Sequence, residues 1–194
     1  MSKGRNKTIG IAFAATLAMS ILPLSVFADD TPAGTGQGTT TVTFNAPKGD
    51  QLILNAVPSF DFGNKDLSAS NEPLSADGSS SYDVTNLTGN SNGYTITASA
   101  STMTTKDAPD LPIKSLTTTT LDGTPDELTG GQITGSTDLN IYKKSNVVAT
   151  GNNNANGRLT SGKTSASLTL GPAGVKSATY NGTIDYTIAA NIQP

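Results

Sequence analysis

Apolar and polar residues alternate in short runs along most of this chain. Two runs are the clearest, at residues 94–100 and 184–190, and both contain the tripeptide Tyr-Thr-Ile. Their apolar side chains fall on one side of each run: Tyr94, Ile96, Ala98 and Ala100 in the first, and Ile184, Tyr186, Ile188 and Ala190 in the second. Because side chains alternate across a strand, each run predicts a β-strand with one apolar and one mostly hydroxylated face.

Similar runs recur at intervals typical of an all-β protein. We predict about nine short strands, at residues 41–44, 51–54, 81–87, 93–101, 116–121, 139–142, 147–150, 165–170 and 183–192. Turn-forming segments rich in Gly, Asn and Pro separate them, as at residues 89–93 and 171–174. This spacing predicts a single antiparallel β-sandwich of Ig-like or Greek-key type. After the leader, no segment has apolar residues at helical spacing over two turns.

The first 28 residues have the pattern of a secretory signal peptide. Basic residues at positions 3, 5 and 7 precede an apolar stretch at residues 9–22, and Val26 and Ala28 fit a cleavage site. The alternative is a membrane-spanning helix, but the apolar run is shorter than the ~20 residues needed and Pro23 interrupts it. We expect a signal helix cleaved after Ala28, a flexible linker over residues 29–40 and a secreted domain over residues 41–194 without a membrane span.

Composition narrows the possible functions. The chain has no His, Cys or Trp, which excludes thiolate and imidazole metal sites, a Cys nucleophile and a Ser-His-Asp triad. Removing the leader takes away three of 12 basic residues and none of the 15 acidic ones, leaving a net charge of −6. We therefore expect no nucleic-acid partner, no cofactor and no enzymatic activity. The 30 Thr, 16 Asn and 20 Gly suit β-strand faces and turns.

Residues 52–63, Leu-Ile-Leu-Asn-Ala-Val-Pro-Ser-Phe-Asp-Phe-Gly, resemble the opening segment of WxL-domain proteins, which are surface proteins of Gram-positive bacteria. That family is named for two Trp-x-Leu motifs, one in the middle of the domain and one near its C-terminus. Tyr94-Thr95-Ile96 and Tyr186-Thr187-Ile188 stand at the corresponding places here. Neither Trp is present and both Leu are Ile, so this chain is similar to a Tyr-x-Ile version. The parallel replacement suggests that the two positions belong together in space.

The resemblance implies a protein of the cell surface or cell wall that attaches non-covalently to peptidoglycan. It also implies a possible WxL-interacting partner protein. The chain lacks a sortase-type Leu-Pro-x-Thr-Gly motif, consistent with non-covalent attachment. The alternative is a protein–protein module, a subunit of a surface complex that such a partner holds without direct wall binding.

Two groups of residues are singled out for these roles. Tyr94, Ile96, Tyr186 and Ile188 are candidate binding residues, with core strand positions as the alternative because their apolar periodicity is one-sided. Pro58, Phe60, Asp61, Phe62 and Gly63 are expected to form a structural corner whose Phe rings close one end of the core. Asp61, opposite the Phe pair, is a candidate for a polar contact.

Two further motifs are expected to carry no site. Residues Gly157–Thr164 fit the nucleotide-binding pattern G-x-x-x-x-G-K-[ST], but an Asn/Gly loop precedes them and an alternating strand follows where a helix is required. We therefore expect no nucleotide. The acidic residues Asp107, Asp110, Asp122, Asp126 and Glu127 offer oxygen ligands for Ca²⁺, but no twelve-residue calcium loop is present. Solvated carboxylates in turns are the favoured interpretation.

Overall fold

The computed structural model describes residues 40–45, 47–49, 51–67, 72–172 and 174–192. The predicted signal peptide and nearly all of the predicted linker lie outside these residues. The described part of the chain contains no helix. It forms eleven strands: β1 (Leu52–Ala56), β2 (Leu74–Asp77), β3 (Asp83–Asn86), β4 (Tyr94–Ala100), β5 (Ile113–Thr120), β6 (Ile133–Gly135), β7 (Leu139–Asn140), β8 (Asn146–Gly151), β9 (Gly157–Thr160), β10 (Thr164–Leu170) and β11 (Ile184–Ala190).

The strands form three antiparallel sheets, which confirms the predicted all-β class. The first sheet has the order β1-β3-β9, the second β2-β10-β5-β7 and the third β11-β4-β8-β6. All strand pairings within the sheets are antiparallel. Neighbours in a sheet are seldom neighbours in sequence, so long-range contacts hold the domain together.

One hydrophobic cluster draws side chains from all three sheets. Val84 comes from the first sheet, Leu168 from the second and Ile96 from the third, and each is almost fully buried. The alternation expected from the sequence is visible in β4, where every second residue is buried, and in β10 from Thr164 to Leu168. Burying a side chain of this size contributes roughly 1.5–3 kcal/mol, so this shared cluster is the main source of stability.

Most of the predicted strands are present, but the first one, predicted at residues 41–44, is not. The runs now seen as β1, β3, β4, β5, β7, β8, β10 and β11 are confirmed, with boundaries shifted by a few residues. Residues 41–44 are not a strand, although they alternate, because they lie outside all the sheets. Strands β2, β6 and β9 were missed because they are short and contain few large apolar residues.

Candidate functional site

The two Tyr-Thr-Ile segments lie on neighbouring strands. β4 and β11 pair antiparallel along their full length, with Ile96 opposite Ile188 and Tyr186 opposite Ala98. Side chains that face each other across a ladder are on the same side of the sheet, so both tyrosines share one face. Two segments about ninety residues apart therefore meet, as the parallel replacement suggested.

Tyr94 and Ile96 belong to the core. Their exposed fractions are 1% and 0%, so neither has surface to offer a ligand in this conformation. The Tyr94 ring lies over Gly151, its partner on β8, where an added Cβ would be 2.4 Å from the ring. The buried hydroxyl has no hydrogen-bond partner among the described residues, and burial raises the pKa of Tyr94 well above its usual value. For these two residues, the core interpretation is the one that the structure favours.

Tyr186 is half-buried and ties the last strand to the corner at Pro58. Its hydroxyl donates a hydrogen bond to the Pro58 carbonyl oxygen at 2.9 Å. Its ring meets the ring of Tyr82 edge-on, with centroids 5.7 Å apart and planes inclined at 70°. Burial, and then the proximity of Tyr82, raise the pKa of Tyr186, while burial raises the pKa of Tyr82 to about 12. Ile188 is also half-buried, so β11 is only partly covered.

The corner at residues 58–63 lies against the core. Pro58 is fully buried, and Phe60 and Phe62 pack against the core cluster. Asp61 is exposed, and its carboxylate accepts a hydrogen bond at 2.8 Å from the backbone N–H of Gly63. Gly63 has φ +67°, a conformation that glycine adopts without steric cost. The polar contact of Asp61 is therefore local and stabilises the turn.

The outward side of the second sheet carries a regular array of polar side chains. Asp77, Ser165 and Thr119 form one row across β2, β10 and β5, and Ser75, Ser167 and Thr117 form the next. Strand geometry spaces such groups about 4.8 Å apart across strands and about 6.8 Å along them. With Asp138 these residues line a shallow cleft of about 340 Å³. We refer to these seven residues as the hydroxyl face.

Asp138 closes one side of the hydroxyl face. The Thr119 hydroxyl donates to its carboxylate at 3.3 Å and accepts from its backbone N–H at 3.1 Å. Asp138 has φ +53°, a conformation that aspartate tolerates better than most residues. The sequence predicted strands at residues 116–121 and 165–170, now seen as β5 and β10, but did not single out their outward hydroxyl groups as a site. It did not find Ser75 and Asp77, because β2 has too little apolar pattern to be recognised.

The nucleotide-like segment at residues 157–164 runs from a strand of the first sheet to a strand of the second sheet. Residues 157–160 are β9, and β10 begins at Thr164, so a strand occupies the place where a phosphate-binding loop requires a helix. Arg158 pairs with Asp83 on β3 through a 2.6 Å contact between Nη2 and Oδ2. Hydrogen bonding from Arg158 lowers the pKa of Asp83. Arg158, the only Arg in the sequence besides Arg5, thus pairs with a neighbouring carboxylate.

In the 122–127 segment, the carboxylates of Asp122 and Asp126 accept hydrogen bonds from nearby groups. The Asp122 carboxylate accepts from the backbone N–H of Gly135 at 2.8 Å. The Asp126 carboxylate accepts from the backbone and hydroxyl of Thr129, and these bonds lower its pKa. Within the described ranges, no group of three or more acidic side chains is arranged to hold a metal ion. The Asp126 bonds lie within a turn, whereas the Asp122 bond connects its segment to the end of β6.

Comparisons with known proteins give no relative, so the fold and the hydroxyl face are the basis for assigning a function. No family model, no curated protein and no solved structure matches this chain. Among the described residues, no helix has the length and apolar character to cross a membrane.

Proposed function

We propose that this is a secreted WxL-like protein that attaches non-covalently to the Gram-positive cell wall through peptidoglycan. In this proposal the signal peptide is removed after Ala28, and residues 41–194 form a single β-sandwich of Ig-like or Greek-key type. The protein works by binding, at the cell surface, with no catalytic step and no cofactor. The absence of His and Cys from the sequence supports a binding role over an enzymatic one.

The observation that carries the proposal is the meeting of three distant segments. The corner at residues 58–63, the strand that begins at Tyr94 and the strand that contains Tyr186 are the places where the sequence resembles the family. β4 pairs with β11, and the Tyr186 hydroxyl bonds to the Pro58 carbonyl, so the three segments form one structural unit. A chance likeness in three separate stretches gives no reason for them to be in contact.

We assign the wall contact to the hydroxyl face. Peptidoglycan glycan strands present hydroxyl and acetamido groups in a repeating order, and Ser and Thr hydroxyls both donate and accept hydrogen bonds. The two rows across β2, β10 and β5 supply such groups at regular spacing, and Asp77 and Asp138 add acceptors. In this assignment Tyr94 and Tyr186 support the fold, and the ligand does not touch them.

Co-sedimentation with purified cell-wall sacculi tests the proposal. We expect the mature protein to sediment with sacculi, and Thr117→Val, Thr119→Val and Ser167→Ala together to lower the bound fraction at least fivefold. The matched control is Thr95→Val, Thr97→Val and Ser99→Ala, which removes the same hydroxyl groups from the outward side of β4. Sedimentation no greater than that of an unrelated Cys-free protein would contradict the proposal.

The second candidate is a protein–protein module held at the surface by a WxL-interacting partner, without direct wall binding. The observation that favours it is the partial exposure of Ile184, Tyr186 and Ile188 on β11. Aliphatic and aromatic side chains left half-covered are typical of contact surfaces between proteins. Retention on cells only when the partner is co-expressed, with no binding to bare sacculi, would establish this candidate and exclude the first.

A further inference from the structure

Strand β11 lies at the end of its sheet and has an open edge. Within the described part of the chain it pairs with β4 alone. The Asn191 N–H bonds to the Gly93 carbonyl, and the Ser101 N–H bonds to the Thr183 carbonyl, so the odd-numbered residues face β4. In an antiparallel ladder the alternate residues then point their N–H and C=O groups away from the partner. The backbone groups of the even-numbered residues 184–190 are thus directed to the open side.

The apolar face of the third sheet is incompletely covered at this edge. Every inward side chain of β4 is buried, whereas Ile184, Tyr186 and Ile188 on β11 are only half-buried. Long edge strands that offer both unpaired backbone groups and apolar side chains are templates for the addition of another strand. Among the described residues the backbone groups on this side of β11 have no backbone hydrogen-bond partner, so they are available to pair with one more strand of alternating pattern.

The chain itself contains a segment with that pattern. Residues 41–44 read Thr-Val-Thr-Phe, and the strand predicted there is absent from the described structure of the single chain. Val42 is 70% exposed and Phe44 is 90% exposed. Neither side chain belongs to the core cluster. The segment shares with β11 the alternation of a large apolar residue with a smaller or polar one.

We propose that residues 40–45 of one copy add as an extra strand to the open edge of β11 in a second copy. Val42 and Phe44 then extend the apolar face beside Tyr186 and Ile188, while Thr41 and Thr43 continue the hydroxylated side. The seven residues between Phe44 and Leu52 can span up to about 25 Å, which allows the segment to reach a neighbouring molecule. Among the described residues of the single chain this segment has no partner strand, so the second copy is the occupant to which we commit.

Strand addition of this kind links molecules head to tail. Each copy has one donor segment and one acceptor edge, so the contact joins different surfaces and leads to a ring or an open chain of subunits. The proposal rests on β11 and residues 40–45 and does not require wall binding. Its failure therefore leaves the proposed function untouched, and the reverse is also true.

Disulfide trapping tests the pairing, and the absence of Cys from the chain gives it a clean background. Two differently tagged mature proteins are mixed and oxidised, one carrying Thr43→Cys and the other Asp185→Cys, Thr187→Cys or Ala189→Cys. We expect a mixed disulfide dimer with at least one of the three, since Thr43 and these residues share the hydroxylated side. Thr119→Cys, on the second sheet, is the control acceptor.

A second measurement covers the donor side. Val42→Thr with Phe44→Thr should raise the concentration needed for association at least tenfold in light scattering, while the fold is kept because both side chains are exposed. Leu128→Thr is the matched control, because Leu128 is 97% exposed on another part of the domain. Mixed dimers no more abundant than with Thr119→Cys, or association unchanged by the donor variant, would overturn the proposal.

Discussion

The same tripeptide serves two different purposes on adjacent strands. β4 lies between β11 and β8, and its Tyr94 is buried over Gly151 with a hydroxyl that has no partner among the described residues. β11 lies at the edge, and its Tyr186 is half-covered with a hydroxyl bonded to Pro58. Position within the sheet, more than local sequence, thus decides whether a Tyr-Thr-Ile segment fills the core or connects two parts of the domain.

The largest expected effect comes from truncating the two rings. Tyr94→Ala should lower the free energy of unfolding by about 3–5 kcal/mol, because it empties a fully enclosed site. Tyr186→Ala should cost less, about 2–3 kcal/mol, since the ring is partly exposed and its site can be filled by water. Urea unfolding measures both. Equal losses would remove the distinction between the two strands.

The next effect tests the close contact under Tyr94. Gly151→Ala places a methyl group 2.4 Å from the ring and should cost about 1–3 kcal/mol in the free energy of unfolding. Gly174→Ala is the control, because nothing lies within 4 Å of an added Cβ there. The control should stay within about 0.5 kcal/mol of the parent protein. A neutral Gly151→Ala would mean that the Tyr94 ring is not held over β8.

Removing the hydroxyl groups alone sharpens the comparison. Tyr186→Phe loses the bond to Pro58 and should cost about 1 kcal/mol. Tyr94→Phe removes a buried hydroxyl without a described partner and should be neutral or stabilising by up to about 1 kcal/mol. Chemical denaturation of both variants at neutral pH gives the two values. A larger loss in the free energy of unfolding for Tyr94→Phe than for Tyr186→Phe would contradict the conclusion that only the Tyr186 hydroxyl is stabilising.

The smallest effect appears only at alkaline pH. Burial raises the pKa of Tyr94 and of Tyr186 in the folded protein. The contribution of each neutral hydroxyl to the free energy of unfolding is therefore complete below the unfolded pKa near 10 and is lost as pH rises. Each group lowers the free energy of unfolding by up to about 1 kcal/mol between pH 10 and pH 11. Either Tyr→Phe variant should therefore show a shallower alkaline loss of stability. An unchanged slope in both variants would show that neither hydroxyl is shielded from water.

Sequence periodicity was sufficient to predict the strands that face the core over many residues. β4, β10 and β11 were found because each alternates over seven residues. β2 and β9 were missed because Leu74 and Leu159 are the only large apolar residues in them. The opposite error, a strand predicted where none is described, occurred at residues 41–44. Apolar and polar residues alternate clearly there, but local alternation carries no information about which strand could pair with the segment.

The candidate site was predictable only in part, for a related reason. The resemblance directed attention to Tyr94, Tyr186 and the corner, and the structure brings these together. The different burial of the two tyrosines was not predictable, because it depends on which strand ends the sheet. The strands β5 and β10 were predicted, but the hydroxyl face that their outward residues form was not. Its completion by Ser75 and Asp77 requires the pairing of β2 with β10, which sequence spacing does not give.

Wall binding by two folded variants tests the central claim most directly. The bound fraction on purified sacculi is measured for Tyr186→Phe and for the variant with Thr117→Val, Thr119→Val and Ser167→Ala. We predict that Tyr186→Phe binds like the parent protein, because Tyr186 supports the fold, and that the hydroxyl-face variant loses at least fivefold. Loss of binding in a folded Tyr186→Phe, with full binding by the hydroxyl-face variant, would contradict the account.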